Sequence, residues 1–479
     1  MTPPPIDAAA TAPMPVLSAR PPWRETLVAL RVPNYRLFAS SNLVQNTAGW
    51  MQRIAMDWLV LELTGSATAV GITVFMQFLP MLCLGLFGGV IADRFPKRNL
   101  LIGTQSTAVL LAAALAVLTL TGMIAVWQIW IIALLQGMAT VVDNPARQVF
   151  VNELVGPRYL RNAISINSSI FQLGGLLGPA VGGVLITLVG AGWLFAINAV
   201  GCAVVVTNLF RLRTSELHVG PVAPRAKGQL VEGMRYVGSK PAIFWTILMV
   251  AFLSVFAFSM PVFLTSFAND VYHVGAGGYG MFNALVAAGA FVGALASTRR
   301  LSIRLRTIIL GAAALGVIQL VAALAPNELT FAVVLIANGF ANLLFITGAN
   351  SLVQMSSNVR IRGRVMSLYI LVLLGGQALG GPVMGWAVEQ FGPHAAMFAS
   401  GALPAVAAIV IAVALARRGH LGIRVSLKRR DPFVRIVPRQ QREVRVARTA
   451  SRQRVPQRGR GGMMGRMRRR PSAAPGPRG

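Results

Sequence analysis

The sequence predicts an all-α membrane protein with twelve transmembrane helices in two pseudo-symmetric six-helix halves. Three observations carry this. Roughly a dozen apolar segments run from near Arg36 to Ala416, each long enough as a helix to cross the ~30 Å hydrocarbon core of a bilayer. The loops between them alternate between strongly basic and free of Lys and Arg. Landmarks of the first half also recur in the second at a constant shift.

Composition agrees. Mean hydropathy is +0.64 and charged residues make up 12% of the chain, against about 25% in a soluble domain. The formal charge of +30 points to topology rather than to nucleic acid. Many of the 44 cations fall from Arg417 onward, where Asp431 and Glu443 are the only acids, and most others sit in short loops. Residues 1–36 are Pro/Ala-rich at the start, lack an apolar core followed by a cleavage site, and read as a cytoplasmic segment without a signal peptide.

Helices are predicted at 37–62, 69–92, 99–120, 126–145, 163–189 and 193–210, forming an N-terminal half over 37–210. A basic cytoplasmic linker covers 211–241. The C-terminal half, 242–416, holds helices at 242–267, 278–298, 307–325, 328–352, 364–389 and 395–416. Residues 417–479 form a basic tail, Arg-rich and studded with Pro and Gly, which is expected to be disordered and to lie against anionic lipid. Cations on one set of loops (Arg94, Lys97, Arg98; Arg147, Arg158, Arg161; Arg211 to Lys240; Arg299 to Arg306; Arg360 to Arg364) place those loops and both termini in the cytoplasm. The loops at Leu63–Thr68, Thr121–Val126, Gly190–Gly192, Asn269–Gly278, Pro326–Asn327 and Gly392–Ala395 then face outward. The repeat pairs Arg161, Gly178-Pro179 and Gly182 with Arg364, Gly381-Pro382 and Gly385, all shifted by 203 positions. That suits a duplicated unit with parallel halves. Cys83 and Cys202 lie inside apolar runs and read as packing residues.

The loop after the second helix reads Gly89-Val90-Ile91-Ala92-Asp93-Arg94-Phe95-Pro96-Lys97-Arg98. It resembles the signature loop of the major facilitator superfamily, G-x-x-x-D-R-x-G-[RK]-[RK], except that Pro96 replaces a glycine and fixes φ there. The resemblance implies that Gly89 permits close helix approach and that Asp93 faces the N-terminus of the eleventh helix near Arg364, latching the outward-facing state. Arg94, Lys97 and Arg98 are then within reach of Asp143. On the plainer alternative these cations only set topology.

In the fifth helix, Gly174, Gly178, Pro179, Gly182 and Gly183 resemble the motif that marks proton-coupled exporters of that superfamily. Their spacing gives a flat face for a neighbouring helix, and Pro179 bends the chain. Trp50-Met51-Gln52, Trp58 to Ser66, Asp143-Asn144-Pro145-Ala146-Arg147-Gln148 and Arg362 to Ser367 resemble the branch containing the enterobactin exporter and the transmembrane secretion effectors. Over residues 30–416 that resemblance implies export of a small amphipathic molecule driven by proton entry. One departure stands out: Gln136-Gly137 is present, but Ala133 occupies the position where related drug–proton antiporters carry an Arg.

The first helix offers a substitute. Arg53 and Asp57 are four residues apart and share a helical face within the membrane span. Ionisable groups there cost roughly 2.5–3.5 kcal/mol on insertion scales and are functional candidates. Two readings stand: a proton-coupling pair, in which desolvation and the neighbouring cation set the protonation of Asp57, or a static pair snorkelling to the outer interface. Asn42, Gln45, Asn46, Gln136, Asn167 and Gln172 in one half, and Asn283, Asn338, Asn342 and Gln377 in the other, are candidates to line a substrate cavity or to hydrogen-bond between helices.

No metal-ligand spacing, nucleophile triad or phosphate loop appears, so no metal, cofactor or enzymatic role is expected, nor ATP-driven transport. The expected partners are a small-molecule substrate, protons and the bilayer. Nucleic acid is not expected, since aromatic stacking residues are almost absent from the tail. The chain is expected to act as a monomer in the cytoplasmic membrane. The rival classes are an ion-coupled importer of the same fold and a membrane scaffold acting through its tail.

Overall fold

The structure, a computed structural model, describes residues 27–218, 229–297, 304–358, 361–418, 421–425 and 434–438. A 3-10 turn at Val28–Arg31 leads into α1 (Pro33–Thr64), where Pro33 sits at a helix start that needs no backbone donor. Then follow α2 (Ala67–Arg94), capped by Ser66, and α3 (Lys97–Leu120). Next come α4 (Val126–Gly156), α5 (Arg158–Val189) and α6 (Ala191–Arg211). A short helix α7 (Gln229–Ser239) lies in the linker. The second half comprises α8 (Pro241–Val271), α9 (Gly275–Ser297), α10 (Leu305–Ala323) and α11 (Glu328–Ser356). It ends with Arg362–Arg418, which Gly392 breaks into α12 (362–391) and α13 (393–418).

Among the described residues, ten helical segments are long and apolar enough to cross a membrane. The last of them is two spans, divided at Gly392, whose φ of 82° starts a turn closed to most side chains and is followed by Pro393. The remaining span is α1, whose 32 residues include Arg53, Asp57 and Glu62 and are correspondingly less apolar. Large apolar side chains such as Leu110, Leu188 and Leu329 stand exposed on the outside of the bundle, as a lipid-facing surface requires. α8 is irregular: π-turns at Leu253–Ala257 and Phe267–Val271 flank a break before Met260-Pro261.

Helix α4 outruns its predicted end at 145, so Arg147 lies on a helix rather than in a loop. The chain turns into α5 at Gly156, with φ 64°. The bundle is one compact unit through Ala412, and residues from Val413 form a second. Within the tail expected to be disordered, Leu421–Val425 (β1) and Val434–Pro438 (β2) pair antiparallel, with Ile423 opposite Ile436. Branched residues at alternate positions favour a strand there over coil. The rest of the tail, 439–479, lies outside the described residues.

The halves meet at the end bearing the loops without Lys or Arg. There α5 touches α9 and α2 touches α12 through pairs of glycines. A Cβ on Gly183 would lie 2.5 Å from Gly280 Cα, and one on Gly381 would lie 2.5 Å from Gly71 O. One hydrophobic core spans both halves at this end, joining Met51–Val70 residues to Phe263, Tyr279, Phe282 and Met384. At the basic end, a separate core is built from the first half alone, around Tyr35, Phe38, Phe150 and Leu154.

Candidate functional site between the halves

The site grows from the glycine face of α5. Gly174 lies against Asn46 and Thr47, Gly178 against Trp50 and the Thr47 carbonyl, and Gly182 against Ile54 and Met51. Any side chain at these positions would push α1 away. A Cβ on Gly178 would stand 2.5 Å from the Trp50 Cβ. The motif therefore seats α1, the helix carrying Arg53 and Asp57. Gly183, one residue further, faces the other way and admits Gly280 of α9.

That close approach brings Tyr279, the residue before Gly280, to Asp57. The Tyr279 hydroxyl donates to Asp57 Oδ2 at 3.2 Å, while Asp57 Oδ1 has no hydrogen-bond partner. Both side chains are buried, Asp57 at 1% exposure. The Tyr279 ring stacks on Trp58, with centroids 6.0 Å apart and planes at 25°. One turn on, Asn283 Nδ2 donates to the Tyr279 carbonyl at 2.9 Å. A buried carboxyl of one half is thus hydrogen-bonded to a phenol of the other.

Arg53 is exposed, its guanidinium 4.8 Å from the Trp50 ring centroid and 5.9 Å from that of Phe78. Among the described residues the ion pairs are Arg147–Asp143 and Arg213–Glu216. Arg53 and Asp57 share a helix face without forming a third. Ala133, at the position where related antiporters carry an Arg, is wholly buried in the apolar core, and Gly137 serves the contact of α4 with Gln77 and Pro80 of α2.

At the basic end the polar side chains pair differently from expectation. Asp143 does not meet Arg98. Its carboxylate binds Arg147, four residues on in α4, at 2.9 Å, and accepts from Thr104 and Gln105 of α3 at 2.7 and 2.8 Å. Arg147 also donates to Asn42 Oδ1 on α1. Arg98 instead donates to the Leu209 and Phe210 carbonyls at 2.8 and 3.2 Å. It caps the C-terminus of α6, where orphan carbonyls and the helix dipole favour a cation. Arg94 is exposed and Lys97 and Arg364 are half-buried. The contacts of Gly89 and of the Asp93 side chain lie outside what the structure describes.

The candidate cavity residues have different partners. Asn42 is held by Arg147, Asn46 donates back to the Asn42 carbonyl, and Asn167 accepts from Tyr35. Gln45, Gln136, Gln172 and Gln377 are half-buried. Asn338 is fully buried with neither amide atom bonded, and Asn342 Oδ1 is likewise unpaired. Both sequence cysteines are free, Cys202 buried and Cys83 exposed. Sequence reasoning missed two partners. Arg147 carried a usable signal, its i, i+4 spacing from Asp143. Tyr279 carried little, since its partner is 222 residues away.

Two six-helix halves meeting around a buried carboxyl fit a multi-pass membrane transporter, and the match over residues 24–444 makes it one of the major facilitator superfamily. Solved transporters share the fold. A bacterial homologue of the human lysosomal transporter Spinster aligns with TM-score 0.58 at 17% identity, covering 83% of this chain and 96% of that one. A POT family transporter bound to a thioalcohol-conjugated peptide gives 0.66 at 12%, covering 81% and 96%. More narrowly, residues 24–444 match the transmembrane secretion effector family, and the chain belongs to it.

Among individual relatives, the multidrug efflux pump Tap of Mycolicibacterium fortuitum is 26% identical over 77% of this chain and 92% of its own length. The enterobactin exporter EntS of Citrobacter koseri is 24% identical over 80% and 92%. The staphyloferrin A transporter of Staphylococcus aureus is 32% identical over a stretch covering 34% of this chain and less than half, 42%, of that protein.

Proposed function

We propose that the protein exports a small amphipathic molecule, drug-like or siderophore-like, in exchange for protons entering the cell, by alternating access. Its basic loops and both termini face the cytoplasm, and the state described here is closed to the outside. The observation that carries this reading is the Asp57–Tyr279 hydrogen bond between halves, seated on the glycine face of α5. Relatives named as a multidrug efflux pump and an enterobactin exporter support the direction and the substrate class.

In this scheme Asp57 carries the proton. An ionised carboxylate accepts a hydrogen bond more strongly than a neutral carboxyl. Ionised Asp57 therefore holds Tyr279, and with it α9, against α1, and the empty carrier stays shut to the outside. Substrate arriving from the cytoplasm supplies the differential binding energy that parts the halves. Asp57 then takes a proton from outside, and the neutral form returns and releases it within. Arg53, resting on Trp50 and Phe78, is the cation nearest in sequence on the same helix face and is free to turn toward the carboxylate once the proton has left. The chain works as a monomer in the cytoplasmic membrane, and its basic tail rests on anionic lipid at ~1 kcal/mol per residue near the surface.

The test is accumulation of a labelled compound panel in cells with and without the protein, repeated with the proton gradient collapsed. Lower accumulation that depends on the gradient is expected. Higher accumulation in cells bearing the protein would make it an importer instead. Orientation is read separately in a variant without native cysteines. Gly275→Cys should react with an impermeant thiol reagent applied from outside, and Gly228→Cys should not.

A further inference from the structure

Glu389 lies in the last turn of α12 and belongs to none of the motifs. Its carboxylate accepts three hydrogen bonds, all from the other half: from Ser66 Oγ, from the Thr68 amide at 3.0 Å, and from Thr68 Oγ1 at 2.6 Å. Ser66 is the N-cap of α2, and its Oγ also accepts from the Ala69 amide at 3.0 Å. The Ser66 hydroxyl thus caps its own helix with the oxygen and donates its hydrogen to Glu389.

A helix of 28 residues starts there with no acid in its own first turn. Its unpaired amides and its dipole favour an anion, and the opposite half supplies one. Beneath this contact no side chain intervenes. A Cβ on Gly385 would lie 2.6 Å from Ala67 O and 2.7 Å from Thr68 Cα, and Gly381 lies against Gly71.

We propose that Glu389 is the latch that holds the bundle shut at the end with loops free of Lys and Arg, by capping α2 from across the interface. Helices α2 and α12 run antiparallel, and each has a carboxyl residue in its final turn: Asp93 at the basic end, Glu389 at the other. The resemblance assigns Asp93 to the N-terminus of α12, and Glu389 is its counterpart at the N-terminus of α2. Alternating access closes one end at a time, so one latch is made while the other is broken. The pairing rests on the Asp93 reading above, whereas the Glu389 contact stands without it.

The test uses the full chain with Cys83 and Cys202 replaced by Ala and Val74→Cys as reporter. Val74 is buried against Gly381 in this interface. The rate of reaction with an impermeant maleimide is measured in whole cells and in inverted membrane vesicles. Glu389→Ala should raise the rate about three- to tenfold and Thr68→Val about two- to threefold, as losing a helix cap and its charge would. Thr68→Val should add little once Glu389 is gone. Gly381→Leu, which forces the glycine contact apart, shows that the assay detects opening. An unchanged rate in Glu389→Ala alongside a raised rate in Gly381→Leu overturns the latch. Should Glu389→Ala not accumulate, Thr68→Val decides alone, and an unchanged rate there overturns it equally. An increase seen only in inverted vesicles supports the latch and overturns the orientation.

Discussion

Tyr279→Phe removes one oxygen and leaves the ring stacked on Trp58 in place. The lost contact is the 3.2 Å bond to Asp57 Oδ2, a little longer than the usual range for an O–H donor. Hydrogen bonds between transmembrane helices average about 0.6 kcal/mol and reach about 1.7. Asp57 Oδ1 is already unpaired, so the variant strips a buried carboxyl of its last bonded partner, which favours the upper part of that range. At about 1.4 kcal/mol per tenfold, the balance between closed and open states should shift about three- to twentyfold toward open. Outside labelling of Val74→Cys reads that shift. Proton flux into proteoliposomes without substrate reads its consequence, since an empty carrier no longer held shut will cycle protons alone. Labelling and leak should both rise while protein abundance stays at the parent level. Parental values for both would reduce the bond to incidental packing and refute the coupling scheme.

Gly178→Leu should abolish transport and lower the yield of folded protein, because even its Cβ would meet Trp50. Gly103→Leu, where a Cβ meets nothing within 4 Å, should keep both, as size-exclusion profiles and flux would show. Arg147→Ala leaves the Asp143 carboxylate buried beside only Thr104 and Gln105 and should destabilise the first half by about 3–5 kcal/mol. Adding Asp143→Asn removes the stranded charge and should recover much of the melting temperature. A double variant no more stable than Arg147→Ala would show that charge burial is not the cause.

Much of the fold was legible because the physics behind it is local in sequence. An apolar run of span length carries a large transfer free energy, so helix positions follow from composition along the chain. Helix ends were less legible. Helix α4 continues for a further eleven residues past position 145 because a helix leaving the membrane can stay helical in water, and its basic character marks the loop side without marking its end. The glycine face of α5 was readable from spacing, but not which helix it seats.

The site depended on contacts across the dividing surface. The shift of 203 positions says which residues are equivalent, not which face each other. Nothing local distinguishes Tyr279 from a packing tyrosine, or Glu389 from a solvated loop acid. The cavity candidates illustrate the same limit. Asn42 is as polar as a substrate ligand, yet it serves Arg147.

The central claim is that Asp57 couples proton entry to export. It is tested most directly in inverted membrane vesicles, where the basic end faces the medium and an acid lumen supplies the driving force. With a labelled compound recognised by the protein, the parent should concentrate the label in the lumen and lose it when the pH gradient is collapsed. Asp57→Asn keeps volume and hydrogen-bonding capacity but cannot titrate. It should fail to concentrate the label while still exchanging labelled for unlabelled compound across the membrane. Uphill accumulation by Asp57→Asn equal to the parent would contradict the account and move the proton to another carboxyl.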